Sequence, residues 1–308
     1  MSKGLLQMKP KYPLFIVSKG RWESNYTHKA LAKMQVKHFM IVELQEYDFY
    51  KETTDEDYCT IMLLNHNYQT NYDTCDNLGD NKSKGAGASR NYAWDVSMQQ
   101  GFDYHWVMDD NIRYFARYNN NTKSPVADGT IFRCMEDFVE RYSNVTMAGP
   151  NYEFFVPRKK GNKKRPPYFL NTRIYSCNLI KNNVPYRWRG RYNEDTDLSL
   201  RMLKDGNCTI LFNAFLQKKL QTQIVSGGNT KDFYETEGTK PKSNMQVNLH
   251  PDVSKEVIRF GRPHHYVDYS SFKKNKLKRK DNNKVYNKVD NYGMRHQVRN
   301  NNAWIDAK

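Results

Sequence analysis

No two cysteines in this sequence have the spacing of a metal hook or of a disulfide framework. The five present, Cys59, Cys75, Cys134, Cys177 and Cys208, are odd in number and contain no C-x-x-C pair. That argues against a stapled secreted fold and against a structural zinc site, so reduced thiols inside a cell are the expectation. The opening stretch MSKGLLQMKPK lacks the apolar run of a secretion signal. No segment approaches the roughly 20 apolar residues of a bilayer span. A soluble, cytoplasmic protein with no membrane partner is expected. Apolar residues are scarce too, at 38 % with a mean hydropathy of −0.92. What is present instead is 14 % aromatics, 22 Tyr, 15 Phe and 5 Trp. Disordered chains are poor in such rings, so a folded body with polar, basic attachments is implied.

Acids are outnumbered, 33 against 49 lysines and arginines, which leaves a net charge of +16. Half of it falls between Ser271 and Lys308, where eleven Lys/Arg face three Asp. A second cluster, Arg158, Lys159, Lys160, Lys163, Lys164 and Arg165, contains no acid. A solvated surface explains many charge runs. Two such clusters with aromatics nearby point instead to a polyanionic partner such as nucleic acid.

Short apolar runs alternate with helical patterns through the first half of the chain, the signature of an α/β domain with a mostly parallel central sheet. Tyr12–Val17, His38–Val42, Thr60–Leu64 and His105–Met108 read as strands. Ser24 is placed to cap a first helix, and Ala86–Gln99, Ile131–Tyr142 and Asp195–Asp205 read as further helices. Thr146–Gly149, Thr172–Leu179 and Thr209–Phe215 extend the sheet, while Tyr118–Gly129 reads as a polar loop and Asn151–Pro167 as an exposed insertion. Beyond Gln217 the pattern weakens, and the last 38 residues read as a flexible basic extension in which Tyr286, Tyr292 and Trp304 are the residues able to dock.

Four constellations carry chemistry. In WVMDDNI, Trp106 to Ile112, an apolar strand runs into Asp109, Asp110 and Asn111. Open α/β sheets bind ligands at that carboxyl edge, and hard oxygens there suit Mg2+ or Mn2+ bridging a diphosphate. A polar turn explains the same residues. In RYNEDTDLSLRMLKDG, Glu194, Asp195 and Asp197 crowd a helix start, behind Arg187, Arg189 and Arg191. Acids complement the helix dipole there, but three exceed what capping needs, and one beside a pocket can act as a general base. In SKGAGASRNYAWD, Gly85 and Gly87 open a helix with Arg90 on its first turn, a residue suited to phosphate. No G-x-G-x-x-G or P-loop lysine is present. Finally, NLHPD and FGRPHHYVDY hold three of the eight histidines, His250, His264 and His265, without a zinc spacing.

This order of elements resembles the GT-A glycosyltransferases. PLFIVSKGR (Pro13–Arg21), GAGASRNYAWD, WVMDDNI, RYNEDTDLSLRML and RPHHYV together are similar to the TET-associated glycosyltransferase family, which occurs in phages and is inferred to glycosylate hydroxymethylated pyrimidines in DNA. The similar blocks run from residue 13 to 267. The resemblance implies a single GT-A-like (Rossmann-like) domain. Residues 1–217 would be its nucleotide-sugar-binding and catalytic core, 218–270 would complete the active site, and 271–308 would be a basic C-terminal extension. It further implies that Asp109 lies near the nucleotide ribose, and that Asp110, Asn111 and one of His250 or His264 hold Mn2+ or Mg2+. Arg21 and Arg90 would face uracil or diphosphate, and Asp195, with Glu194, would face the acceptor.

The activity so implied is transfer of a sugar, arabinose or glucose, from a UDP-sugar to hydroxymethylcytosine or another hydroxymethylated pyrimidine in phage DNA, in the cytoplasm of an infected cell. DNA would run over Arg158–Arg165 and the tail, with Tyr152, Phe154 and Phe155 as stacking rings or as core. A protein or polysaccharide acceptor, and a non-catalytic nucleic-acid-binding protein, are the alternatives.

Overall fold

Leu14–Val17 (β1) has four apolar residues in a row because both of its faces are covered. Leu14 and Ile16 pack into one core cluster and Phe15 and Val17 into another, on opposite sides of the sheet. The computed structural model describes residues 8–77, 84–158, 165–220, 240–259, 261–280, 297–300 and 303–306. Around β1 the strands are His38–Val42 (β2), Cys59–Leu63 (β3), Tyr104–Asp109 (β4), Ile112–Asn119 (β5), Thr122–Pro125 (β6), Val145–Tyr152 (β7), Tyr168–Leu170 (β8), Cys177–Lys181 (β9) and Cys208–Lys219 (β10). They form one ten-stranded sheet in the order β3-β2-β1-β4-β9-β7-β10-β5-β6, with β8 paired to β10. Strands β1 to β4, β6, β7 and β10 run one way; β5, β8 and β9 run against them. The α/β fold on a large, mostly parallel sheet that the sequence implied is the fold observed, as a single domain.

Helices cover both faces, with two short ones, Tyr47–Thr53 (α2) and His66–Thr70 (α3), following β2 and β3. Tyr26–Lys33 (α1) contributes Leu31, and Thr130–Val139 (α5) contributes Ile131, Phe132 and Met135, to the first cluster. Gly87–Gln99 (α4), through Ala93 and Trp94, and Glu194–Lys204 (α6), through Leu198 and Met202, cover the other side. Each fully buried ring or branched side chain in these layers is worth about 1.5–3 kcal/mol, so aromatics do the work that scarce aliphatics leave. Glu136, on α5, is buried there and accepts hydrogen bonds from Lys11 N, Tyr12 N and Trp106 Nε1.

Four sequence expectations change. The stretch Tyr118–Gly129 is a loop only from Val126 on: before it β5 and β6 form a hairpin turning at Asn120 and Asn121, whose φ values are +45° and +62°. Asn tolerates that region, which two-residue hairpin turns require. Polar edge strands do not announce themselves by hydropathy. Second, Thr172–Leu179 is not one strand, because Asn171 and Ser176 take φ of +57° and +63° and separate β8 from β9. Third, the weak region beyond Gln217 holds a helix, Lys240–Leu249 (α7), and a hairpin, Ser254–Arg259 (β11) with Arg262–Val267 (β12). Fourth, the extension is not loose throughout: Phe272 is buried against Leu200 and Leu203, and Asn171 Nδ2 donates to the carbonyls of Phe272 and Asn275. Lys278 N donates to Asn144 Oδ1 and its carbonyl accepts from Ser143 N, while Lys280 N donates to the Arg141 carbonyl. Further on, Gln297–Asn300 pairs with Ala303–Asp306. Tyr286 and Tyr292 lie outside the described residues.

Candidate active site

Because β1, β4, β7 and β10 run in one direction, their ends Val17, Asp109, Tyr152 and Lys219 share an edge. The reversed strands β9 and β5 begin at that edge, adding Ser176 and Asn111. The α6 start closes the far side. Between them lies a cavity of about 320 Å3 lined by Arg21, Arg90, the D-D-N turn, Arg173, Glu194, Asp195 and Lys219 among others.

The D-D-N turn is held by Thr27 at the start of α1. Its Oγ1 donates to the Asp109 carbonyl at 2.6 Å and accepts from Ile112 N at 2.9 Å, while Thr27 N donates to the Asp110 carbonyl at 3.0 Å. With the backbone pinned, the two carboxylates diverge. Asp109 receives Arg90 Nη2 and Lys219 Nζ, each at 2.6 Å. Burial raises its pKa, but the two cations overcome this and hold it well below the usual range. Asp110 turns toward β1, where Arg21 Nη1 reaches Oδ1 at 2.5 Å and Ser18 Oγ donates to Oδ2 at 2.7 Å. Tyr50 completes that knot, its hydroxyl 2.6 Å from Ser18 Oγ and accepting from Arg21 N at 3.1 Å.

The three acids of α6 separate in function. Glu194 pairs with Arg90 Nη1 at 3.0 Å, and burial raises its pKa. Asp195 lines the cavity, and among the described residues its carboxylate is hydrogen-bonded only by its neighbour Thr196. Asp197 faces away, buried against Arg189, Arg201 at 2.7 Å and His250 at 2.9 Å. The arginines ahead of the helix are structural partners: Arg187 pairs with Asp95, Arg189 with Asp197 and Arg191 with Asp76. Gly87 also has a packing reason, since a Cβ there would lie 1.8 Å from the Tyr72 hydroxyl, which donates to the Gly190 carbonyl.

The set implied for a divalent cation does not assemble here. Both carboxylates of the turn already serve cationic partners, and Asn111 offers one neutral atom, Oδ1, buried without a hydrogen-bond partner among the described residues. Mg2+ and Mn2+ need several hard oxygens, carboxylates foremost, so the residues in this arrangement do not fit one. His250 is committed to Asp197, and His264, half-buried on β12, does not line the cavity. His265 has the closer electrostatic link, its pKa pushed down to about 4 by burial first, then by Lys242 and Arg173, with Asp195 opposing. Among the described residues one other group has the makings of a metal site. His28, His38 and Cys59 bring their ligand atoms within 4.8 Å of one another. However, His28 Nε2 accepts from Asp55 N, so its Nδ1 carries the proton and donates to His38 Nε2, whose Nδ1 donates to the Val36 carbonyl. Burial keeps both rings neutral by lowering their pKa values. The pair is a closed hydrogen-bond relay.

Of the basic cluster, Arg158 is exposed and Arg165 half-buried beyond the β7 end of the cavity edge; Lys159, Lys160, Lys163 and Lys164 lie outside the described residues. Lys123 and Lys218 flank Glu153 nearby. Between this patch and the cavity is an aromatic lip. Tyr152 stacks on Tyr175 at 4.7 Å, Arg173 lies over Tyr175, and Phe155 touches both rings. Phe154 is 81 % exposed. Lys219, Arg173 and Tyr175 were missed by sequence reasoning. The one signal for Lys219 was its place at the end of an apolar strand, and only strand direction puts that end beside Asp109.

An α/β sheet with a charged cavity across its carboxyl edge has the build of a nucleotide-dependent transferase. Residues 12–228 match the model of the TET-associated glycosyltransferases, and the chain belongs to that family. It is therefore an enzyme that takes a sugar from a nucleotide-sugar donor to an acceptor. The match ends before α7, so the α7–β12 region lies beyond it. No curated protein matches the chain. Among the described residues no helix is long and apolar enough to cross a membrane.

Proposed function

We propose that the enzyme transfers a sugar from a UDP-sugar to the hydroxymethyl group of a modified cytosine in phage DNA, by a single in-line displacement with inversion. The observation that carries this reading is Asp195: a carboxylate on the cavity wall, paired with no cation among the described residues, beside Arg90 and an aromatic lip. Asp195 takes the proton from the acceptor hydroxyl as its oxygen bonds to the anomeric carbon. The bond from that carbon to the diphosphate breaks with its electron pair on the departing oxygen. Arg90 stabilises the charge that develops there, and Arg21 bounds the nucleotide end. Asp109, fixed by two cations, is oriented toward the donor ribose.

The acceptor half of the reading is supported by exposed aromatics next to basic groups. A base within a duplex cannot reach a recessed carboxylate, so it must be extruded or presented on a single strand. Phe154 and Phe155 offer the ring faces on which an unstacked base packs, and Arg158 and Arg165 the charge that tracks a phosphate backbone. A protein or polysaccharide acceptor gives no comparable role to both features.

The test is mass spectrometry of nucleosides from hydroxymethylcytosine DNA incubated with the protein and a panel of UDP-arabinose, UDP-glucose and related donors. One glycosylated nucleoside is expected from one donor. Donor hydrolysis without any modified nucleoside would refute the DNA acceptor.

A further inference from the structure

Lys219 sits on the first carboxylate of the D-D-N turn, at the wall of the cavity. Lys219 ends β10, where its backbone is in register with Ile112 at the start of β5. Nζ donates to Asp109 Oδ2 at 2.6 Å and to Ser176 Oγ at 2.8 Å, and the side chain lines the cavity. An ammonium has three N–H donors, and two are used here. Arg90, 4 % exposed, stands on the other oxygen of Asp109, with Nε buried and without a partner among the described residues. Two cations with donors to spare thus converge on one carboxylate at the wall of the cavity. Cations outnumber acids among the lining residues six to four, or six to five when Asp76, which holds Arg191, is included. An excess of positive charge in a recessed site suits a diphosphate, because low local polarisability strengthens each attraction.

Resting on the reading of this cavity as a nucleotide-sugar site, we propose that Lys219, together with Arg90, supplies the positive charge on the departing diphosphate, and that the enzyme binds its donor and transfers without a divalent cation. Asp109 acts as the positioning residue: it fixes both cations, and its negative charge holds the Lys219 pKa up against burial, which lowers it. The metal-site expectation for Asp110 and Asn111 is replaced by an organic cation pair one residue earlier in the same turn.

The experiment is titration calorimetry of UDP into the full chain, in excess EDTA and again in millimolar Mn2+, with the Lys219→Met and Lys219→Arg variants alongside. For the unmodified protein the dissociation constant is expected to be the same in both buffers within about twofold. A charged hydrogen bond to phosphate is worth about 1.5–3 kcal/mol, so Lys219→Met should weaken UDP binding by roughly 10- to 150-fold. Lys219→Arg, which keeps the charge, should restore part of it. Tenfold or greater tightening of UDP by Mn2+ in the unmodified protein overturns the proposal, as does unchanged affinity in folded Lys219→Met. Should Lys219→Met fail to fold, the EDTA and Mn2+ comparison on the unmodified protein decides by itself. Absence of UDP binding in either buffer would remove the donor reading and the proposal with it. Metal-independent UDP binding without any glycosylated nucleoside would refute only the DNA acceptor.

Discussion

Replacing Asp197 by Asn should cost the fold far more than the chemistry, although the residue stands two positions from Asp195. The Asp197 carboxylate is 1 % exposed and is held by Arg189, Arg201 and His250. Burial alone would raise its pKa, but the hydrogen bonds from His250 and Arg189 and the charge of Arg201 carry it down to about 2. An unfolded aspartate titrates near 3.9, and each unit of difference is worth about 1.4 kcal/mol, so the ionised form stabilises the native state by about 2–3 kcal/mol at neutral pH. The sign follows from a lowered folded-state pKa. The contribution is fully present above about pH 4 and is lost as pH falls toward 2. Asp197→Asn should therefore be about 2–3 kcal/mol less stable at pH 7 in urea denaturation, and the gap to the unmodified protein should close between about pH 4 and pH 2. UDP affinity should stay within about twofold, since this side chain does not line the cavity. Equal stability at pH 7, or a gap that persists unchanged to pH 2, would refute the assignment of Asp197 as the clamp between α6 and His250.

Three further outcomes are expected besides those for Lys219. Asp195→Asn keeps the Thr196 contacts available to an amide oxygen but removes the proton acceptor, so kcat should fall by about 10²–10⁴ with little change in melting; turnover near that of the unmodified protein would move the base elsewhere. The double substitution Arg158→Ala and Arg165→Ala removes two groups offered to phosphate, and should reduce the slope of log affinity for DNA against log salt by about 1.8; an unchanged slope would assign them to a solvated surface. Phe154→Ala, at an 81 % exposed ring, should leave stability within about 0.5 kcal/mol while weakening binding to single-stranded DNA by about 1–3 kcal/mol. Full retention of DNA affinity would remove the stacking platform.

Much of the frame was legible because it rests on local patterns. HFMIV is a strand at the same residues in sequence and structure, and α4, α5 and α6 fall within a few residues of their expected bounds. Continuous apolar runs marked strands covered on both faces, and the resemblance through residues 13–267 pointed to the family that the match over 12–228 assigns. Polar elements were hidden: the β5–β6 hairpin, α7 and the β11–β12 hairpin carry little hydropathy contrast, and neighbouring elements rather than their own periodicity stabilise them. The basic extension misled in another way. Six of its eleven cations lie between Lys273 and Lys280. The last of these dock at Asn144, just before β7, at the amino edge of the sheet opposite the cavity. A truncation after Tyr269 would thus remove Phe272 from its contacts with Leu200 and Leu203, and would test folding as much as DNA affinity.

By itself the sequence determined which residues bear charge, which segments are strands or helices, and which turn ends in acids, since propensity and periodicity act within a few residues of each position. Only the tertiary structure decided what those charges meet. Arg90 and Lys219 stand 129 positions apart in the chain, yet strand direction and order bring both within hydrogen-bond distance of Asp109 at one sheet edge. The neighbouring acids Asp195 and Asp197 stand just over half a helical turn apart, so one lines the cavity and the other is locked to His250. Charge interactions fall off with distance through space and are blind to distance along the chain, which is why a turn rich in acids reads as a metal site in sequence and becomes a seat for lysine and arginine in the folded protein.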